Sequence, residues 1–452
     1  MWVQVPPRAL NLTNGSSFHF FFWSRLPAKM YLGKTLKILA PLRSRTFRLY
    51  FGGQWVSLVG SWMTNTATVW VVYELTRSPM WLAVVGLATQ LPSIVLGPFA
   101  GVLIDRVDRL RLLMATQCLA MVHASLLAVF MLSGVLNVWM ILGLALFQGV
   151  IASVDMPTRQ SMAVMLAERR EDLSGVIALN ASMFHLARLI GPAIAGIVIA
   201  TFGAGVCFTL DAVSYIAVLI ALIAMRLPAG KSKVVPLVAG VMAQLREGVR
   251  YVIGSFPIRT HVLLSGGMAA FTLSYATLMP QYADVFFGGD ARTLGILLSS
   301  AAAGALTAAL YLAGRARLAG IGSAITTGAI MSGIGLWGFA VSRELWISCV
   351  CLAVAGGGGI LVMASNNTLI QSMLEDDKRG RVMSLYTVVF FGGFPLGGLL
   401  NGWLASRFGP AVVPAFAGTA ALGLAAIYVR MRPHLRVDIK RILNAQSAQF
   451  EG

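Results

Sequence analysis

Twelve apolar runs, each about 20 residues or longer, follow one another from Tyr50 to Arg430 with mostly short polar breaks between them. A helix rising ~1.5 Å per residue crosses a ~30 Å hydrocarbon core in about that length, and it satisfies its own backbone where no water can. The runs fall at 50–73, 80–104, 111–133, 137–160, 175–201, 205–226, 261–283, 292–314, 320–341, 345–370, 382–406 and 410–430. They predict an all-α membrane protein of twelve transmembrane helices. Charged residues make up 12% of the chain and hydrophobic ones 57%. That is about half the charged share of an ordinary soluble chain, and it excludes a soluble enzyme.

A net charge of +18 raises the question of nucleic acid. The basic residues are scattered through short breaks and tails, with no basic domain to hold them, so no nucleic-acid partner is expected. They set topology instead. If alternate breaks are assigned to one side together with both termini, 30 of the 35 Lys and Arg residues lie on that side. The other side holds Arg77, Arg292, Arg343 and Arg407, and Arg188 lies within a run. The basic side is therefore predicted to be cytoplasmic, with both chain termini there.

The expected organisation is a basic N-terminal tail at 1–47, a six-helix half at 48–227, a linker at 228–258, a second half at 259–431 and a C-terminal tail at 432–452. Nothing before Met30 has the look of a folded segment, which makes Met30 a candidate start. In the linker, Leu237, Val238, Val241, Met242, Leu245, Val249 and Val252 recur at helical spacing, with Gln244, Arg246, Glu247 and Arg250 opposite. This predicts an amphipathic helix lying on the inner membrane surface. The halves repeat internally: GPAIAGIVIATFG, from Gly191 to Gly203, aligns with GGLLNGWLASRFG, from Gly397 to Gly409, and Gln160-Ser-Met aligns with Gln371-Ser-Met. Helices 4–5 thus recur as helices 10–11, as in two parallel halves related by an axis along the membrane normal.

Polar residues inside the runs are the candidates for function, because a charge at a helix centre costs ~2.5–3.5 kcal/mol on insertion scales. Asp155 and Arg159 are four apart, on one helix face, flanking Pro157. They read either as a gate or coupling pair or as a structural ion pair, with a kink expected at the proline. Helix 5 carries Asn180, His185 and Arg188, the deepest positive charge, which calls for a partner or an anionic substrate. Asp211 reads as a proton site or as a satisfied hydrogen-bonding group. Asn366 and Gln371 form part of a polar stripe on helix 10, facing a cavity or bonding between helices. Glu74 and Asp284, at the outer ends, are expected to be solvated. The four cysteines lie in apolar runs, and Cys349 and Cys351 diverge on a helix, so neither a disulfide nor a metal site is expected. Gly333-Ile-Gly335-Leu-Trp-Gly338 matches a dinucleotide fingerprint without the strand that such a site needs, and so reads as helix packing.

Between the second and third runs lies GVLIDRVDRLR, from Gly101 to Arg111. Its spacing of Gly101, Asp105, Arg106 and Arg109, with Asp108 between, resembles the loop signature of the major facilitator superfamily. SLVGSWM, TQLPSIVLGPFAGVLIDRVDR, DMPTRQSM, ALNASMFHLARLIGPAIAG and NNTLIQSMLEDDKRGRVMSLY extend the resemblance from Arg43 to about Arg436. Together they are similar to the drug:proton antiporter branch that includes the enterobactin exporter. Gly191, Pro192 and Gly196 match its helix 5 signature, with Ala195 where Gly is usual. Leu110, His185 and Asp211 depart from the branch pattern. In the equivalent loop of the second half, Leu318 stands where an acid matching Asp105 would be.

The resemblance implies a major facilitator fold in a bacterial cytoplasmic (inner) membrane. It further implies proton-coupled export of a small organic compound by alternating access. Symport, import or lysophospholipid movement on the same fold is the alternative, and a non-transporting membrane sensor a remoter one. The proton-motive force would be the energy source, with no cofactor; the expected partners are a small-molecule substrate and the bilayer, and the chain would be a monomer. Asp105 is implied to close the inner face by capping helix 11 and pairing with arginines near helix 4. Arg379 and Arg381, in the charged loop between helices 10 and 11, make up the facing side of that gate.

Overall fold

A computed structural model describes residues 39–167, 169–225, 241–313 and 320–451. Among these residues the regular structure is entirely helical. The helices are α1 (Arg45–Thr76), α2 (Pro79–Arg106), α3 (Arg109–Leu132), α4 (Val138–Met165), α5 (Leu173–Phe202) and α6 (Ala204–Ala224), followed by α7 (Val241–Gly254). The second half contains α8 (Phe256–Gly267), α9 (Met279–Phe287), α10 (Ala291–Ala313), α11 (Ile321–Val341), α12 (Leu345–Met373), α13 (Asp376–Phe408) and α14 (Val412–Glu451). Eleven helical stretches among the described residues are long and apolar enough to cross a membrane. α1 falls outside that set despite its 32 residues. Gln54, Ser57, Thr64 and Thr66 are buried along it, so its polar groups face protein and dilute its apolar character.

Local chemistry fixes the helix ends. Asp108 Oδ1 accepts the Arg111 amide at 2.9 Å and starts α3, and Asn137 Oδ1 accepts the Met140 amide at 3.0 Å and starts α4. The repeat visible in the sequence becomes geometric at Gly203 and Gly409, which end α5 and α13 with the same backbone angles, φ 85° and ψ 163°. That region is open essentially to glycine alone.

The run at 261–283 forms one membrane-crossing stretch, Phe256–Phe287, but not one regular helix. After α8 come a π turn, Met268–Thr272, and a 3-10 segment, Leu273–Leu278, before α9 resumes with Pro280 in its first turn. The irregular part lies against α13 so closely that a Cβ at Gly397 would sit 1.8 Å from the Ala270 carbonyl oxygen. Asn401 Nδ2 donates to Ser274 Oγ at 2.8 Å, holding the two together.

α7 is a helix within the linker, and Leu237 and Val238 of the expected amphipathic pattern lie outside the described residues. It packs on the start of α13: a Cβ at Gly248 would stand 2.9 Å from the Arg381 carbonyl oxygen, and Glu247 pairs with Arg381. α14 runs on beyond the expected end of its span, through Pro433 to Glu451. The Gly333–Gly338 run is helix packing, with Gly335 and Gly338 against Cys351 and Gly333 against Leu422.

The cores explain how the halves sit together. We call the end carrying α7 and the α2–α3 turn the linker face, and the opposite end the far face. One apolar core at the far face is shared by both halves: Trp70, Val72, Leu82, Ile141 and Phe208 pack with Tyr282, Leu294, Phe339, Leu352 and Val413. At the linker face the halves keep separate cores. One comprises Phe47, Tyr50, Leu113, Met162, Val176 and Leu222, and the other Ile258, Val262, Ile325, Ile370, Val382 and Tyr428.

Candidate transport site

Two seams join the halves, and the glycines of the internal repeat make both. Gly196 on α5 meets α10, where a Cβ would lie 2.6 Å from the Ala291 carbonyl oxygen. Its repeat partner Gly402 on α13 meets α2, with 3.0 Å to the Pro79 carbonyl oxygen. Gly191 packs on Trp62 of α1, and its partner Gly397 packs on the broken segment after α8. Small residues here let backbones approach where no hydrophobic force separates helix from lipid. Pro192 shares in the α5–α10 seam, its carbonyl lying 2.5 Å from a Cβ at Gly295.

A polar latch reinforces the far-face closure. Asp284 Oδ2 accepts Tyr73 OH at 2.7 Å and Arg77 Nη1 at 2.8 Å. Asp284 is therefore not simply solvated, as its position at a helix end suggested; it ties α1 to α9 across the halves. Glu74 is exposed. Sequence spacing gave no sign of the latch, because its members lie 211 and 207 residues apart.

The gate expected at the other face is only partly described. The surroundings of Gly101 and the side chain of Asp105 lie outside the described residues, as do the whole of residues 314–319. Asp108 caps α3, and Arg106 and Arg109 are exposed and half-exposed. Arg379 reaches the Leu374 carbonyl at 3.5 Å, while Arg381 pairs with Glu247 of α7. Arg381 thus braces its own half to the linker. Among the described residues, the Asp284 latch and the Gly196, Gly295 and Gly402 contacts that join the halves lie toward the far face.

Asp155 and Arg159 are paired at 2.5 Å, with side chains 13% and 16% exposed. Asp155 Oδ1 also accepts Thr116 Oγ1 at 2.8 Å and Gln117 Nε2 at 2.7 Å, both on α3. Tyr50 OH donates to the Arg159 carbonyl at 3.0 Å. The cluster joins α1, α3 and α4 inside one half, and adjacent Thr116-Gln117 in an apolar run was the readable signal for it. α4 is unbroken through Pro157.

Asp211 is 2% exposed and faces α1 where Gly60 leaves room for it. Ser214 Oγ donates to it at 3.4 Å, and no cation pairs with it among the described residues. Asn366, read as a candidate for the cavity, is fully buried instead: its Nδ2 donates to the His261 carbonyl at 2.8 Å and Ser265 Oγ at 2.6 Å. It fastens α12 to α8, the second of the two readings its sequence position allowed. Gln371 is half-buried and bonds Asn367 within its own helix at 2.9 Å.

Arg188 stands midway along α5, half-buried, its guanidinium 5.7 Å from the centroid of Trp62 on α1. The Tyr275 hydroxyl of the broken segment is within its electrostatic reach. No carboxylate pairs with it among the described residues. A cation–π contact contributes about 0.5–1 kcal/mol when exposed and about 2 kcal/mol when desolvated, so it offsets only part of the ~2.5–3.5 kcal/mol cost of a charge at a helix centre. The site is thus held short of compensation. Phe184 packs edge-on to Trp62 at 5.8 Å and to His185 at 5.9 Å, and Asn180, two turns before Arg188, is half-buried with its Oδ1 unbonded.

With this geometry established, the comparisons with known proteins are informative. The sequence pattern of the transmembrane secretion effector family matches residues 36–450. The staphyloferrin A transporter of Staphylococcus aureus is 26% identical over 392 residues, covering 85% of this chain and 94% of that protein. Macrolide efflux protein A of Streptococcus pyogenes is 24% identical over 400 residues, covering 87% and 98%. The multidrug efflux pump Tap of Mycolicibacterium fortuitum is 26% identical over 357 residues, covering 77% and 87%. Among solved structures, the peptide transporter POT superposes with a TM-score of 0.68 at 13% identity, covering 86% of this chain and 94% of that one. A bacterial homologue of the iron transporter ferroportin, in its inward-facing state, gives 0.66 at 15% identity, covering 87% and 98%. At such identities these superpositions speak to the fold. The chain belongs to the transmembrane secretion effector family, a group of multi-pass membrane transporters of the major facilitator superfamily.

Proposed function

We propose that this member of the transmembrane secretion effector family exports a small organic compound by alternating access, and that its structure represents the inward-open state. The observation that carries the reading is the pattern of cores: one shared across the halves at the far face, two separate ones at the linker face. A transporter that rocks about a central site must have one end sealed and the other parted. The excess of Lys and Arg at the linker face supports assigning that face to the cytoplasm of a bacterial inner membrane, with both termini there. α1 is taken as the twelfth span, long enough to cross but lined with polar groups that meet protein rather than lipid. Two relatives named for efflux support the outward direction.

The energy source in this reading is the proton-motive force, with no bound cofactor, and the working unit is a monomer in the bilayer with its small-molecule substrate. Two carboxylates within the helices are candidates for the coupled proton. Asp155 is held by a cation and two hydrogen-bond donors, whereas Asp211 is met by the hydroxyls of Ser214 and Thr64 and by no cation among the described residues. Asp211 is the better placed to take up a proton without breaking an ion pair.

The test compares dyes and metabolites accumulated by cells with and without the protein at two external pH values. Export predicts lower accumulation of one compound class with the protein present, more so at acidic external pH. Higher accumulation would make the chain an importer, and pH independence would remove the proton.

A further inference from the structure

We infer that the Arg188 site receives an organic anion, an aromatic or apolar body carrying a carboxylate or similarly acidic group. The inference rests on the transporter reading and specifies its substrate class. Arg188 lies at the middle of α5, where water is least available, and no described side chain neutralises it. The two buried acids among the described residues are committed elsewhere: Asp155 to Arg159, Thr116 and Gln117, and Asp211 to the α1–α6 contact beside Gly60. Trp62 lies beneath the guanidinium and Phe184 stands edge-on to Trp62, so a planar apolar body finds a stacking surface within reach of the charge.

The site also joins the halves. Trp62 and Arg188 belong to the first, and Tyr275 belongs to the broken segment of the second. Just beyond Arg188, Ser299 Oγ of α10 donates to the Leu189 carbonyl at 2.8 Å, part of the α5–α10 seam that seals the far side. An anion at Arg188 therefore sits beside the seam between the two moving bodies, where its binding can differ between states.

The experiment uses two dyes that share a xanthene body. Fluorescein carries a free carboxylate, and rhodamine 6G is an esterified cation. Purified wild type, Arg188→Gln and Arg188→Lys are reconstituted in proteoliposomes, and initial dye movement is measured under a pH gradient. Wild type is expected to move fluorescein, Arg188→Gln to lose about tenfold or more of that rate, and Arg188→Lys to keep most of it, because one charged hydrogen bond is at stake. Rhodamine 6G movement should not differ among the three. Equal loss of both dyes in Arg188→Gln, or wild-type movement of rhodamine 6G alone, overturns the inference.

A second measurement does not depend on the variant folding. Fluorescein should raise the melting temperature of the detergent-solubilised wild type, and the cationic rhodamine 6G should not; equal shifts also overturn the inference. An Arg188-dependent melting shift without movement of either dye upholds the anion site and defeats the transport reading instead.

Discussion

Replacing Gly196 by alanine should open the far face. The added Cβ would lie 2.6 Å from the Ala291 carbonyl oxygen and 3.1 Å from the Arg292 Cα. Both are backbone atoms of α10, so no side chain can rotate out of the way. Relief requires α5 and α10 to separate, and overpacking of this kind costs ~1–3 kcal/mol. Because α5 and α10 belong to different halves, only the state with the far face closed bears that cost. At about 1.4 kcal/mol per factor of ten, the open population should grow roughly 5- to 150-fold. The assay is alkylation of Ala83→Cys by a hydrophilic maleimide in a background lacking the native cysteines. Ala83 is buried at the other seam, under Gly402, so its labelling reports movement of whole halves rather than damage beside residue 196. Labelling faster by that factor is the expected result. Unchanged labelling in a normally folded protein would refute the reasoning, as would a lowered melting temperature alone, which would make the seam a fold contact and not a gate.

The remaining predictions grade the other contacts. Asp284→Asn should speed the same labelling more modestly, because the Arg77 pair is solvent-exposed and worth about 0.2–1 kcal/mol. An effect as large as that of Gly196→Ala would show that the latch, not the seam, dominates closure. Asp155→Asn should lower thermal stability by ~3–5 kcal/mol by leaving Arg159 buried without its counter-charge, and adding Arg159→Gln should recover much of the loss; failure of the double variant to recover would contradict this. Asn366→Ala should cost ~1–3 kcal/mol of stability, by stranding the His261 carbonyl, while transport per folded molecule stays at the wild-type level. A selective transport defect would restore Asn366 to the cavity.

Much of the architecture was legible because membrane insertion is a length-and-polarity problem. Helix positions, the repeat and the linker helix could all be read from local runs. The repeat carried more than topology. Gly191 and Gly196 match Gly397 and Gly402, and the structure uses both pairs at equivalent seams. The Asp155–Arg159 pair was visible because its partners are four residues apart on one helix. What stayed hidden depended on contacts distant in sequence. Asp284 looked like a solvated helix end because Tyr73 and Arg77 belong to another helix, and Asn366 looked cavity-facing because His261 and Ser265 do. The break after α8 was likewise invisible. Its apolar sequence reads as continuous helix, and the backbone departs from it where α13 presses within van der Waals range through Gly393 and Gly397.

The central claim is that one face closes as the other opens. It is tested most directly by measuring both faces in the same protein, with spin-label pairs in a background free of native cysteine. Ser133→Cys with Glu344→Cys spans the far face between α3 of one half and the α11–α12 turn of the other, and Arg111→Cys with Ser384→Cys spans the linker face; all four residues are exposed. The account predicts a short far-face distance and a long linker-face distance in the wild type. It also predicts that Gly196→Ala lengthens the first and shortens the second in the same fraction of molecules. A far-face distance that lengthens while the linker-face distance stays fixed would contradict alternating access in this protein.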